Sequence, residues 1–260
     1  MNNQVIWITG ASSGIGEALV YAYDALGAKL IISSRNGEQL HKVQANCVNQ
    51  ANIAVLPLDL ESLDSLPGKA ESALTIFGHI DMLINSGGIS QRALAMETAL
   101  ATEQRLMTVN FWGTVTLTKA LLPHLLTRNS GHIVCISSLV GKFGTPLRSA
   151  YAASKHALHG YFDSLRAELP ETINISIICP GFIKTNVTIN ALTADGSAQG
   201  TMDTAQENGM LPATCAKEII KALKRKKQEA YIGGRETKGV FLKRFLPKLF
   251  AKIIRKAKVV

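Results

Sequence analysis

Tyr151 and Lys155 stand four residues apart in SAYAASKHALHGYFDSLRAEL, a stretch from Ser149 to Leu169 that reads as one helix. Its apolar stripe runs through Leu158, Phe162, Leu165 and Leu169, the spacing of a face that packs on a core. Extended backwards, the stripe meets Lys155 and Tyr151, and side chains four apart project from the same helix face. A lysine at the edge of such a face can lay its stem on the core and keep its ammonium in water. A tyrosine one turn earlier argues for more, because a nearby ammonium favours the charged form of a phenol. The pair is a proton-transfer device that needs a hydride carrier beside it.

A carrier site is present near the start of the chain. TGASSGIG, Thr9 to Gly16, follows a β-rich run and opens a helix. Gly10, Gly14 and Gly16 let the chain turn sharply and bring backbone close to a diphosphate, with Ser12, Ser13 and Ile15 between them. The helix N-terminus adds unpaired N–H groups and partial positive charge. The end of the second strand should face the adenosine ribose. A carboxylate there would bind the 2′-hydroxyl, whereas a cation suits a 2′-phosphate. The chain has Ser33, Ser34 and Arg35 and no acid, so NADP(H) is expected over NAD(H). Asp59, followed by Leu60, ends the third strand, where it either accepts from the adenine amino group or caps the next turn.

The elements that must position these residues alternate along the chain. Strands are expected in QVIWITG, KLIISSR, IAVLPLD, DMLINSGG, GHIVCISS and NISIICPG. Helices are expected over Gly14–Leu26 and Glu38–Asn49, before Gly78, and as two segments across Thr98–Leu126, the second broken near its end by Pro123. The strands are continuous apolar runs, which argues for burial on both faces. Repeated β–α alternation of this kind means an α/β, doubly wound Rossmann fold with a parallel sheet. From Ile183 to about Met210 the text turns small and polar without periodicity, as in a binding lid, and we assign 182–212 to it. Residues 1–235 are expected to form the catalytic domain and 236–260 a basic tail.

Length and composition agree with a single α/β domain. No apolar run approaches a membrane span, and VIWITG follows Met1 too closely for a secretory leader. Cys47, Cys135, Cys179 and Cys215 form no CxxC and are expected to be reduced, buried thiols, which suits the cytoplasm. His156 and His159 share a helix face without an acidic or thiol companion in sequence, so no metal is expected. Lys221–Val260 holds 14 Lys/Arg against two acids, whereas the rest of the chain is slightly acidic. In FLKRFLPKLFAKIIRK, apolar pairs recur opposite Arg244, Lys248 and Arg255. A basic amphipathic helix of this kind either lies on a membrane surface or packs on its own domain or a partner subunit. Nucleic acid is not expected, because the apolar pairs would have no role there.

Together, TGxxxGxG, a serine and YxxxK resemble the short-chain dehydrogenase/reductase family, over about Val5 to Tyr231. NSGGISQR, GTVTLTKALLPHL and YAASKHALHGYF are similar to the subgroup holding dehydrogenase/reductase member seven and the 11-beta-hydroxysteroid dehydrogenases. The resemblance implies a mainly seven-stranded parallel sheet. It selects Ser138, thirteen residues before Tyr151, over Ser137, and it adds Asn110 as the fourth catalytic position. It implies that Asn85, Ser86 and Gly87, where the family has NNAG, line the cofactor. Pro180, Gly181, Ile183 and Thr185 of PGFIKT reach the nicotinamide on the same grounds. Tyr151 would exchange the proton, Ser138 bind the carbonyl oxygen, Lys155 hold the nicotinamide ribose, and Asn110 anchor a water. Ser90, Arg92, Leu139, Phe143 and Pro146 lie in loops after strand ends, where substrate should bind.

The expected function is interconversion of a ketone or aldehyde and an alcohol by an NADP(H)-preferring oxidoreductase, as a homodimer or homotetramer. Two rival readings remain: a 3-oxoacyl-carrier-protein reductase, whose acidic partner could use the basic tail, and a catalytically silent NAD(P)-sensing protein.

Overall fold

The computed structural model describes residues 3–257. Its elements run β1 (Val5–Thr9), α1 (Gly14–Asp24), β2 (Lys29–Ser33), α2 (Gly37–Ala45), β3 (Ile53–Val55), α3 (Leu66–Phe77) and β4 (Met82–Asn85). They continue with α4 (Leu100–Met107), α5 (Gly113–Thr127), β5 (Gly131–Ile136), α6 (Ser149–Glu168) and β6 (Ile173–Pro180). Last come α7 (Thr204–Glu207), α8 (Pro212–Lys224), β7 (Glu229–Ile232), α9 (Lys238–Phe245) and α10 (Pro247–Ile254).

The seven strands form one parallel sheet in the order β3-β2-β1-β4-β5-β6-β7. Alternate residues feed opposite cores, as the pleat requires. Val5, Trp7, Ile31, Leu83, Ile133 and Ile177 pack under α3, α5 and α6. Ile6, Ile8, Leu30, Ile32, Ile84 and Val134 pack under α1, α2 and α8. With both faces covered, every strand position favours an apolar side chain. The order reverses between β1 and β4, and Thr9 pairs there with both Ser33 and Asn85. The carboxyl ends of three strands therefore lie level at the switch point, which is where ligands bind in such sheets.

Three expected elements change, each for a local reason. The third strand shortens to Ile53–Val55 because Pro57 has no N–H, although Leu56 and Leu58 on either side still donate to Ile32 and Ser34 carbonyls. The helix expected to reach Asn49 stops at Ala45, since the Asp24 carboxylate takes the Val48 and Asn49 N–H groups at 2.6 and 3.0 Å. The Thr98–Leu126 segments are one rod, joined by a π-turn at Thr108–Trp112, and Pro123 does not break it. The carbonyl that Pro123 leaves without a partner belongs to Lys119, an exposed residue that water can reach.

Residues 182–212, expected as a lid, carry one short helix, α7; Leu192 in their middle bridges to Gln91, and Ile183 bridges to Met210, joining the two ends of the segment. Residues 258–260 of the expected tail lie outside the described residues.

Candidate active site

A cleft of about 840 Å³ opens along the carboxyl ends of the strands. Its first wall is the glycine loop. Gly10 and Gly14 adopt φ of +64° and +62°, where a side chain would be strained. A Cβ on Gly16 would stand 2.2 Å from the Gly10 carbonyl oxygen, so the loop closes only with glycine there. Ser13 precedes α1 without capping it, leaving the first-turn N–H groups without a side-chain partner and turned to the cleft wall. This donor set fits a dinucleotide diphosphate.

The next wall carries Ser34, Arg35 and Asn36, with Asp59 and Leu60 beside them. Arg35 is exposed and pairs with no carboxylate among the described residues. One Asp59 oxygen accepts from the Glu61 N–H at 3.0 Å, so the residue does cap the following turn. Ser86 and Gly87 line the cleft, and both donate backbone N–H groups to Thr9 Oγ1 at 3.2 Å. Asn85 lies outside the lining. Its amide donates to Thr118 Oγ1 at 3.2 Å, bracing β4 against α5 from behind.

At the far end stand Ser138, Tyr151 and Lys155. α6 begins immediately after the β5–α6 loop and lies against the sheet, which turns the face bearing Tyr151 and Lys155 to the cleft. Lys155 is buried and donates to the Ile136 carbonyl at 3.0 Å. Its Nζ lies 5.9 Å from the centre of the Tyr151 ring. Ser138 lines the cleft and accepts from the Val140 N–H at 3.3 Å, which leaves its own proton for a ligand oxygen. Ser137 is buried and committed elsewhere, to the Lys155 carbonyl at 3.3 Å and to His159 at 3.2 Å. Asn110 sits in the π-turn, fully buried, with both of its amide N–H groups engaged. It accepts from the Ile89 N–H at 2.8 Å and donates to the Ile89 carbonyl at 2.9 Å and Ser154 Oγ at 3.0 Å.

A family model described as short chain dehydrogenase matches residues 4–195. The chain belongs to the short-chain dehydrogenase/reductase family. It is 41% identical to a dehydrogenase/reductase SDR family protein 7-like of Anopheles gambiae, over 98% of this chain and 83% of that protein. It is 40% identical to a dehydrogenase/reductase SDR family member 7B of Bos taurus, over 98% and 81%. A short-chain dehydrogenase structure from Streptomyces avermitilis superposes with a TM-score of 0.83 at 28% identity, over 98% of this chain and 96% of that one.

Within this short-chain dehydrogenase/reductase, the other expected residues divide cleanly. Pro180, Gly181, Ile183 and Thr185 line the cleft, as do Ser90, Arg92, Leu139 and Phe143. Pro146 is exposed and outside it, and Thr145 takes the place beside the substrate end. Leu147, at φ +64°, turns the chain sharply just after Pro146.

Sequence reasoning missed several groups. Glu236 reaches back from beyond β7 and accepts from the Phe182 and Gly234 N–H groups at 3.2 and 2.9 Å, clamping the PGFIKT loop. A Cβ on Gly181 would stand 2.2 Å from its Oε1, so that glycine is needed for the carboxylate to fit. Gln206 of α7 donates to the Ile183 carbonyl, holding α7 to the PGFIKT loop. Asp203, also missed, pairs with the buried Arg92, expected only as a substrate-loop residue, at 2.5 and 2.7 Å and anchors the start of α7. The tail was expected either at a membrane or on a protein surface. Its inner face packs on the domain, with Phe250 against Phe143 at 5.1 Å between ring centres.

Behind α6, His159 faces Glu229 at 3.4 Å, and Lys142 and Tyr231 also bond that carboxylate. Burial alone would raise the Glu229 carboxyl, but the hydrogen bonds from His159, Tyr231 and Lys142 outweigh it and hold it at about 2. A folded value below the unfolded one contributes stability that is complete above the unfolded value and lost as pH falls toward the folded one. Thermal melts of Glu229→Gln should therefore change less between pH of about 4.5 and about 2 than those of the native chain.

Proposed function

We propose that this short-chain dehydrogenase/reductase interconverts a ketone or aldehyde and an alcohol, prefers NADP(H), and uses Tyr151 as the proton donor and acceptor. The observation that carries this reading is the placement of Tyr151, Lys155 and Ser138 around one end of the cleft, with the glycine loop at the other. When bound, the nicotinamide supplies or accepts the hydride. The Ser138 hydroxyl donates to the carbonyl oxygen and stabilises the charge that develops on it. Tyr151 gives its phenolic proton to that oxygen in reduction and takes it back in oxidation. Lys155, held by the Ile136 carbonyl, keeps a positive charge beside the ring and a donor toward the nicotinamide ribose. Both amide N–H groups of Asn110 are engaged, so in a proton relay it offers acceptors alone, the second Oδ1 lone pair and the backbone of the π-turn, whose i→i+5 register disturbs the regular ladder.

Arg35 supports the NADP(H) preference, since an exposed guanidinium without a carboxylate partner suits a 2′-phosphate. Arg35→Ala should raise KM for NADPH roughly tenfold or more and leave KM for NADH unchanged, since loss of a charged hydrogen bond is worth about 1.5–3 kcal/mol. The test of the whole reading is a panel of ketones, aldehydes and an acyl-carrier thioester, followed by nicotinamide absorbance with both nucleotides. Turnover of the thioester alone would favour the acyl-carrier reductase, and no turnover at all would favour the silent sensor.

The same reading makes the chain a cytoplasmic homodimer or homotetramer. Leu100 and Trp112, exposed beside a groove between α4 and α6, supply an apolar face for assembly.

A further inference from the structure

The mouth of the cleft is built from the tail. Leu242, Phe250, Ile253, Ile254 and Ala257 line it, opposite Phe143. These walls are apolar, in contrast to the serines and arginine at the carrier end. The other side of the same two helices is open. Phe245, Leu246 and Leu249 are 73%, 53% and 47% exposed, and Phe241, edge-on to Tyr231, still leaves 55% of its surface outside. Ile253 belongs to both surfaces, lining the cleft while 49% exposed. Contiguous exposed aromatic and aliphatic groups of this kind mark an interaction site.

Charge decides what covers them. Residues 238–257 carry Lys238, Lys243, Arg244, Lys248, Lys252, Arg255 and Lys256 and no acid. A second copy of this chain would bring the same cations face to face, whereas an anionic lipid surface complements both the cations and the apolar groups. α10 has eight residues, and no helix among the described residues is long and apolar enough to cross a membrane, so the pair fits the plane of the interface.

We propose that α9 and α10 seat the cleft mouth on an anionic bilayer, and that the substrate is a ketone or secondary alcohol dissolved in that bilayer, entering past Ile253, which both lines the cleft and reaches the outer surface. The substrate class rests on the oxidoreductase reading above; the docking does not. Once there, the substrate passes from lipid to the apolar wall without crossing water, and its carbonyl meets Ser138 and Tyr151 at the inner end.

The test uses the full chain, vesicles of phosphatidylcholine with and without phosphatidylglycerol, and a 2-alkanone series from 2-pentanone to 2-nonadecanone. The protein should float with the anionic vesicles only. Turnover of 2-nonadecanone with NADPH should be about tenfold or more faster from anionic than from neutral vesicles, because occupancy of a lipid surface follows its charge. Phe245→Glu combined with Leu249→Glu should abolish both flotation and that difference, while turnover of the shortest accepted ketone stays within about twofold, both residues being outside the cleft. Equal turnover from both vesicle types without flotation would overturn the proposal and leave the enzyme intact. A native dimer that the double variant splits would overturn it in favour of a second copy. Flotation without turnover of any ketone would overturn the oxidoreductase reading, and the substrate class with it.

Discussion

Tyr151→Phe is expected to cut turnover by about 10³- to 10⁴-fold and to leave NADPH affinity unchanged, since a positioned general acid contributes about 10²- to 10⁴-fold. The substitution removes one oxygen and keeps the ring. The contact between that ring and Lys155 Nζ, 5.9 Å from its centre, therefore survives, as does the Lys155 bond to Ile136. Steady-state rates give the first quantity and nucleotide fluorescence titration the second. The contrast matters because the neighbouring groups are poor replacements for the phenol. The Ser138 hydroxyl reaches the same oxygen but is a far weaker acid, Ser137 is committed to Lys155 and His159, and both Asn110 amide N–H groups are engaged. A Phe variant that kept a tenth of native turnover would sink the assignment of the proton to Tyr151.

The second large effect is on stability. Asp203 is 3% exposed and receives Arg92 through two nitrogens, with Arg148 Nη2 at 3.5 Å and Gln199 Nε2 at 2.9 Å. One carboxylate thus holds two buried guanidiniums. Burial, then the charge of Arg92, already brings Arg148 down to about 10. Asp203→Asn keeps the shape and deletes the compensating charge. Breaking a buried pair from one side costs about 3–5 kcal/mol. For a domain of this size that lowers Tm by roughly 6–20 °C, at about 2–4 °C per kcal/mol. The lid should loosen along with it, because Asp203 N–H also bonds Thr188 and the residue starts α7. Calorimetry checks the first effect, and proteolysis between 186 and 208 the second. A melting point within 2 °C of native, less than about 1 kcal/mol, would show that the carboxylate does not hold the lid.

These residues also show what a sequence reveals and what it hides. The central sheet was legible because β1, β4 and β5 are buried at every position, so Val5–Thr9 and Met82–Asn85 stand out as mostly apolar runs, whereas β7, buried only at alternate residues, did not stand out. The glycine loop was legible because its conformation excludes other residues, as at Gly16. Tyr151 and Lys155 were legible because a helix converts a spacing of four into adjacency. The pairing of Arg92 with Asp203 was not, the two being 111 residues apart with no local period to join them. Nor was the π-turn at Asn110, since its register depends on packing around α4 and α6 rather than on composition. Glu236 looks like any surface acid until β7 returns it to Gly181. The tail is the instructive case. Its helical wheel has one apolar half, yet that half is divided between a seat on Phe143 and open solvent, a division that only the third dimension makes.

Glu236 gives that tail a further meaning. The carboxylate that fixes the Phe182 N–H sits two residues before α9, on the same short connection. Trimming the polypeptide after Ile232 would therefore not shed an appendage. It would unroof the reaction chamber and unfasten the loop at its floor in one cut, so a fusion partner is better attached at the opposite end of the polypeptide.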